Sequence, residues 1–550
     1  MVKHELEKII QKAAENFGTQ LPKFSVEIPG TRKFGDYSTN IALGLAKKIS
    51  KNPMDVAEDI VSYISPHKFI EKIEVAPPGF INFYLSKDFF AEQVGEVLKN
   101  KKFGEGEHVK GYNIMIEYTD PNPFKDFHIG HLMSNTIGES LSRIFEFNGA
   151  KIKRANYQGD VGLHVAKALW AKRKNPGSSW QMCYSLGSAE YDSNDSVKEE
   201  IIELNKKIYE GSDKKINALY AEGKDASLKY FKEIYKKLDT QFDYYFFESQ
   251  VADFGKQIVE NNMGKVFEQG DKGAIIFKGE NVGLHTRVFI NSEGLPTYEA
   301  KELGLADIKY KKYKYDWSVI VTGNEVNDYF KVLLAAMEQI FPKLAQKTKH
   351  IGHGMLRLPE GKMSSRTGNV ITAEFLIDEI KKKIQEKVGG RNLHDSDIEK
   401  IAIGAIKYSI LKQSIGSDII YDVEKSISFE GDSGPYLQYS LVRALSVLQK
   451  AKQERVKPLF KKVPLEIGQL EKMMIHFPEV VEKAGKEYQP HYIATYITEL
   501  AHEFNNYYTH NKIVDKSDEF SRHKVALTQA FSIIMNNGLW LLGISAPQKM

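Results

Sequence analysis

Between Asn113 and Tyr157 the chain runs through a continuous apolar segment (NIMIEYT), a proline-bearing loop (DPNPFKDF), an apolar-periodic stretch from Leu132 to Phe147, and a second strand-like segment from Ile152. No other feature constrains the fold as much. A strand that is apolar on both faces must be covered on both faces, which is the situation of a parallel sheet flanked by helices. Two such strands joined through one helix make a βαβ unit of Rossmann type, in which the loops at the strand C-termini line the ligand crevice. Chemistry is therefore expected in the loop between Tyr118 and Leu132. The Gly159–His164 turn (GDVGLH) follows the second strand, and there Asp160 or His164 either reaches substrate or holds the turn.

Around this unit the chain changes character. Residues 1–108 carry a charged amphipathic helix, the polar turn TRKFGD, a second helix from Asn40 to Lys51 and the alternating strand PPGFINFYL, which predicts a small α+β domain ending at the linker Gly104-Glu105-Gly106. From about 172 to 245, Lys, Glu, Tyr and Ser recur with helical periodicity, predicting a helical insertion. Strand signals return at Gly273–Lys278, Thr286–Ile290 and Trp317–Thr322, so the α/β layer spans 109–432. Residues 433–550 read as long helices and predict an all-α bundle. For 550 residues, three domains in series are expected: α+β, an interrupted Rossmann-type α/β domain, and a helical bundle.

There is no apolar run near 18 residues and the N-terminus lacks a secretory core, so no membrane contact and a cytoplasmic location are expected. The single cysteine, Cys183, excludes intramolecular disulfides and paired-cysteine zinc sites, and no zinc is expected. A net charge of +4 does not announce a nucleic-acid partner globally. Two basic runs, Lys301–Lys314 and Lys450–Lys462, are equally compatible with solvated faces and with nucleic-acid contact.

His128-Ile129-Gly130-His131 falls in the loop where chemistry is expected. A helix start offers unpaired N–H groups and partial positive charge to phosphates, two imidazoles three positions apart donate from one side, and Gly130 leaves room for an adenine ring. About 230 residues later, Gly361-Lys362-Met363-Ser364-Ser365-Arg366 lies in a Gly-rich polar loop, 360–370. A lysine and two hydroxyls on a mobile loop suit a pyrophosphate leaving group, whose growing charge Lys362 neutralises. Each motif alone recurs by accident. Together and in this order, each in its expected context, they point to one nucleotide-activating site.

The pair resembles the signature of class I aminoacyl-tRNA synthetases. The extended string PNPFKDFHIGH is similar to the arginyl branch, with Asn122 six residues and Lys125 three residues before His128. KFGDYSTNIALGLAKK and APPGFINFYL resemble the additional N-terminal domain of that branch, while GPYLQYSLVRA and LLGISAPQKM resemble its DALR-type anticodon-binding domain. The resemblance implies that ATP with Mg²⁺ activates L-arginine to an adenylate, which passes to the terminal adenosine of tRNA(Arg), with tRNA bound before the adenylate forms. It implies catalytic roles for His128, His131, Lys125 and Lys362, and ATP contacts from His128, Gly130, His131, Lys362, Met363, Ser364 and Ser365. It also implies an arginine pocket of Asn122, Glu248, Tyr298 and Glu302, and tRNA contacts at Tyr436, Tyr439 and the Met550 region. Carboxylates suit a guanidinium, which they meet as a fork. A monomer is expected.

Three departures from the family pattern limit that carry-over. Glu302 stands where an aspartate is common, TGNEVNDY leaves only Asn324 and Glu325 as candidates in the later loop, and Ser365 replaces a lysine, with Lys125 or Arg366 as its substitute. The competing readings are a small HxGH nucleotidyltransferase, which needs no helical C-terminal module, and a catalytically silent synthetase-like RNA-binding protein, which would have lost a signature histidine or Lys362.

Overall fold

The computed structural model describes residues 1–359, 371–389, 393–460, 464 and 466–550. Its centre is a sheet of five parallel strands, β1 (Asn113–Tyr118), β2 (Lys151–Gln158), β3 (Tyr244–Phe247), β4 (Trp317–Gly323) and β5 (Thr348–His353), ordered β5-β4-β1-β2-β3. Ile114, Met115, Ile116, Val319 and Val321 are wholly buried, as a strand covered on both faces requires. From β1 the chain moves outward to β2 and β3, then crosses back to β4 on the other side. The strand order reverses between β1 and β4, and at such a switch point the loops part and leave a crevice at the strand C-termini.

The helix Ile129–Phe147 links β1 to β2. It is buried around nearly its whole circumference, Ser134, Asn135, Ser140, Ser142 and Arg143 included, so it is not the amphipathic surface helix its periodicity suggests. Close packing against β1 explains Gly138, where a Cβ would stand 2.2 Å from the Tyr118 ring. The other side of the helix grips the C-terminal bundle. Ser140 donates to the Leu541 carbonyl (2.8 Å), and Arg143 to those of Trp540 (3.1 Å) and Asp239 (2.8 Å). Lys407, fully buried, donates to the Leu238 and Gly543 carbonyls (2.6 and 2.7 Å).

Between β2 and β3 four helices form the insertion: Leu163–Lys174, Trp180–Ser193, Asp195–Glu210 and Lys214–Lys237. The last three begin at Ser179, Asn194 and Asp213, whose side chains accept the first free N–H groups. The expected strands near 275 and 288 form, but outside the parallel layer. Ile275–Phe277 and Arg287–Ile290 join Glu268–Gln269 in a separate antiparallel sheet, because these two- to four-residue strands follow one another closely in sequence and pair with one another.

The N-terminal region packs helices Val2–Ala14, Ile41–Ile49 and Pro53–Ser62 on an antiparallel sheet ordered Val26–Glu27, Tyr37–Thr39, Phe80–Leu85, Ile70–Ala76. It also docks on the bundle: the Tyr37 hydroxyl donates to Glu479 (2.6 Å), and Lys472 pairs with Asp36 (2.9 Å). Gly104 is not a free linker, since a Cβ there would meet the Phe477 ring at 2.5 Å. The bundle consists of Gly434–Gln453, Gln469–Met474, Phe477–Glu487, His491–His510 and Ser521–Leu541.

Candidate active site

His128 is the N-cap of the helix Ile129–Phe147, and the cap is built from imidazoles. The Gly130 N–H donates to His128 Nδ1 (3.1 Å) and the His128 N–H to His131 Nδ1 (3.2 Å), while the two rings stack 3.6 Å apart. A ring nitrogen that accepts a backbone N–H carries no proton, so in each neutral imidazole the proton sits on Nε2, which becomes a donor. Burial pulls both pKa values below the usual histidine range, His131 the further, and neighbouring positive charge adds to this: Lys125 for His128, and His128 with Lys125 for His131. The helix therefore presents two neutral donors beside its own free N–H groups at the switch point. Gly130 is tied to this arrangement, since a Cβ there would stand 2.9 Å from the His128 ring.

The preceding loop holds Thr119, Asp120 and Phe124 at positive φ (81°, 44° and 73°), a costly conformation for residues other than glycine. Each is clamped. Thr119 N–H donates to Ser134 Oγ (3.0 Å), Asp120 Oδ1 accepts the Tyr157 N–H (2.8 Å), and Phe124 N–H donates to Ser227 Oγ (2.9 Å). Ser227 belongs to the insertion, and so do Trp180 and Tyr220, whose rings pack on Phe124. Lys125 then projects over the Tyr184 ring, 5.1 Å from its centroid. Asp160, wholly buried, completes the brace by accepting from Tyr220, Lys224 and both the N–H and hydroxyl of Ser249 (2.7–2.9 Å). Burial opposes its charge, but these donors hold its pKa below the ordinary value. Asp160 thus locks the turn, and His164 pins the same turn through the Gly159 carbonyl (2.8 Å).

Asn122 and Glu248 converge on Gly159, where a Cβ would stand 2.6 Å from Asn122 Oδ1 and 3.0 Å from Glu248 Oε1. Asn122 Oδ1 accepts the Gly159 N–H (3.0 Å), leaving its amide N–H groups to donate. Glu248 is buried and paired through Oε2 with the equally buried Lys301 (2.6 Å). Behind them lies a second buried pair, Lys309 with Glu117 (2.9 Å). Burial and then the Glu117 charge push the Glu302 carboxyl up to about 8, and the same two causes raise Asp120. Among the described residues the buried Tyr157 hydroxyl has no hydrogen-bond partner. Tyr298 stays exposed at the entrance, with Lys301 5.4 Å from its ring. Lys301 and Lys309 also correct the reading of the 301–314 run, whose two innermost lysines are core ion pairs.

Sequence reasoning missed Glu117, Asp120, Tyr157, Lys301 and Lys309. A signal existed for one of them: Glu117 is a lone acid inside an apolar strand, a position that demands a buried partner. Lys362, Met363, Ser364, Ser365 and Arg366 lie outside the described residues. In the bundle Tyr436 is buried, its hydroxyl accepting from Asn505 (2.9 Å), and Met550 packs against the core. Tyr439 is half-exposed, and the Arg443 guanidinium lies 4.6 Å from its ring and 4.9 Å from that of the exposed Tyr508.

The string His-Ile-Gly-His occurs a second time, at residues 350–353 in β5. There His350 bonds Thr322 (2.7 Å) and stacks on Phe330 (3.9 Å), and the His353 Nδ1 donates to the Gly354 carbonyl (2.7 Å).

Residues 93–423 match the family model "tRNA synthetases class I (R), catalytic domain", residues 437–550 the "DALR anticodon binding domain" and residues 2–85 the "Arginyl tRNA synthetase N terminal domain". Among curated relatives, the arginine–tRNA ligase of Fusobacterium nucleatum is 31% identical over 99% of both chains, and that of Streptococcus suis 32% identical over 98% of this chain and 99% of its own. The solved arginyl-tRNA synthetase of Thermus thermophilus superposes with a TM-score of 0.80 at 22% identity, covering 100% of both chains. That of Plasmodium falciparum gives 0.81 at 22% identity, covering 100% of this chain and 99% of its own. Among the described residues no helix is long and apolar enough to cross a membrane.

Proposed function

This chain belongs to the arginyl-tRNA synthetases and is an arginine–tRNA ligase, and on that premise we propose which residues of its crevice carry each step. One observation supports the assignment above others. At the switch point a helix N-terminus bearing two neutral imidazole donors shares the crevice with a set of carboxylates, of which Glu117 and Glu248 are buried.

ATP lies with its phosphates toward the helix start, where His128 and His131 donate through Nε2 and Gly130 gives room to the adenine. Neutral donors gain strength as charge builds on the phosphate oxygens and need no proton transfer. Lys125 and Lys362 add positive charge, with Met363, Ser364 and Ser365 beside the nucleotide. Mg²⁺ brought with ATP would supply further screening of the phosphate charge.

Arginine lies with its α-carboxylate toward the free amide donors of Asn122 and its guanidinium toward Glu302 and Glu248, with Tyr298 closing the entrance. A carboxylate oxygen attacks the α-phosphorus and pyrophosphate leaves. The terminal ribose hydroxyl of tRNA(Arg) then attacks the activated carbonyl and AMP leaves, so that positioning rather than acid–base chemistry supplies most of the rate.

Residues 1–108 and 433–550 grip the tRNA on either side of the catalytic residues 109–432, in a monomer working in the cytoplasm. Tyr439, Arg443 and Tyr508 form a stacking platform suited to unpaired bases. Tyr436 supports it from below through Asn505, and the Met550 region lies near.

ATP–pyrophosphate exchange with arginine, with and without tRNA(Arg), tests the assignment. Glu248→Gln and Glu302→Gln are expected to raise the arginine requirement at least tenfold while leaving the ATP requirement within about twofold. Wild-type arginine dependence in both variants would remove these carboxylates from the pocket.

A further inference from the structure

We propose that the pocket takes up the arginine guanidinium in exchange for a proton, which the empty pocket holds between Glu302 and Asp120. The inference rests on the assignment of this pocket to the arginine side chain and adds to it how the charge of the pocket is managed.

The geometry sets the charges. Four carboxylates, Glu117, Asp120, Glu248 and Glu302, surround the pocket, and two ammonium groups serve them. Lys309 is spent on Glu117 at 2.9 Å and Lys301 on Glu248 at 2.6 Å. Glu299, the next acid on the same helix, has its own partner in Arg287 (3.2 Å). Among the described residues neither Asp120 nor Glu302 has an ion-pair partner, and Asp120 accepts only the Tyr157 N–H (2.8 Å). The Lys309–Glu117 pair pins the helix Tyr298–Lys312 against the end of β1. Glu302 stands seven residues before Lys309, on the same helical face, and so beside the loop that carries Asp120.

The remaining neighbours offer no relief. Tyr157 from β2 and Tyr329 from the helix Asn327–Ile340 present phenols whose own ionisation is suppressed, by burial first and then by these carboxylates. Two carboxylates without ion-pair partners beside two that have them favour keeping a proton until a cation arrives. Glu302, raised to about 8, and Asp120, raised alongside it, are its sites. The exchange balances: protonated pocket plus arginine cation gives the arginine complex plus one proton released to solvent. Below the pocket pKa, arginine affinity therefore rises about tenfold per pH unit, and above it the affinity levels off.

The test is calorimetric titration of L-arginine into the full chain at pH 7, in two buffers of unlike ionisation enthalpy. Release of about 0.5–1 proton per arginine is expected, falling toward zero by about pH 9. An α-ammonium retained on binding can only take protons up, so it cannot mimic release. In Glu302→Gln, arginine should bind more weakly and release less. A wild-type enzyme that releases no proton and binds arginine equally from pH 6 to 8 overturns the exchange while leaving the pocket assignment standing. A Glu302→Gln enzyme that binds arginine as tightly as wild type overturns the pocket assignment itself. The wild-type measurement decides the exchange even if the variant does not fold.

Discussion

The same four residues, His-Ile-Gly-His, stand in two places and become different objects. At 128–131 the first histidine ends an extended segment and caps a helix, so both Nδ1 atoms are spent on backbone N–H groups and both Nε2 protons are left for a ligand. At 350–353 the string lies along β5, where side chains alternate between faces and the first histidine caps no helix. His350 is consumed by Thr322 and the Phe330 ring, and His353 by its neighbouring carbonyl. Backbone placement, not the identity of the side chains, decides which ring protons are left free.

That contrast can be broken most forcefully by alanine. In single-turnover adenylate formation, His128→Ala and His131→Ala should each lose about 10²- to 10³-fold, the scale of a lost transition-state donor. His350→Ala and His353→Ala should change the rate less than about threefold and appear instead as a lower Tm. Equal kinetic losses in both copies would abolish the distinction.

Lys125 comes next: the second copy also has a lysine three residues ahead, Lys347, but its ammonium donates to the Tyr315 carbonyl (2.8 Å). A charge-assisted contact made in the transition state is worth about 1.5–3 kcal/mol, so Lys125→Ala should slow adenylate formation roughly ten- to a hundredfold with little effect on tRNA affinity. Arg366→Ala, measured alongside, assigns the position vacated at Ser365. A silent Lys125→Ala beside a crippled Arg366→Ala would reverse the roles.

A smaller effect is expected from the brace. Ser227→Ala removes the hydroxyl that holds the Phe124 N–H and should raise the arginine KM about two- to fivefold, since the strained loop loses one clamp of about 1 kcal/mol. An unchanged KM would show that the insertion braces nothing.

The smallest effect is on stability. Glu302 has a folded-state pKa raised above its unfolded value, so its contribution is fully present below the unfolded pKa and is lost as pH rises through about 8. Glu302→Gln should therefore gain Tm over wild type as pH goes from 5 to 9, measured without arginine. A constant difference would show that the carboxyl is not titrating there.

The strand, loop, helix and strand around residues 113–157 were legible because an all-apolar strand has few alternatives, and the helical character of 172–237 and 434–541 was legible from period alone. The small sheet of 268–290 was assigned to the wrong layer, since strand propensity carries no information on pairing partners. Within the crevice, His128, His131, Asn122 and Glu248 could be marked from motif and resemblance. Lys301 and Lys309 could not, because their neutralising partners lie 53 and 192 residues away along the chain. Asp160 was left open between reaching substrate and holding its turn. Its four donors decide for the turn, and two of them come from an insertion helix whose purpose the sequence did not disclose.

The grip of the helix Ile129–Phe147 on the turn at Trp540–Gly543 also sets an order of events during synthesis. Ser140 and Leu541 are 401 residues apart. At about 5–20 residues per second, a ribosome needs roughly 20–80 s to make that span. Through this interval the nascent signature helix has neither the turn nor Lys407 fully in place, and Arg143 lacks one of its carbonyl acceptors. A chain arrested between residues 371 and 540 thus carries both signature motifs while the helix Ile129–Phe147 still lacks the carbonyls of Trp540 and Leu541.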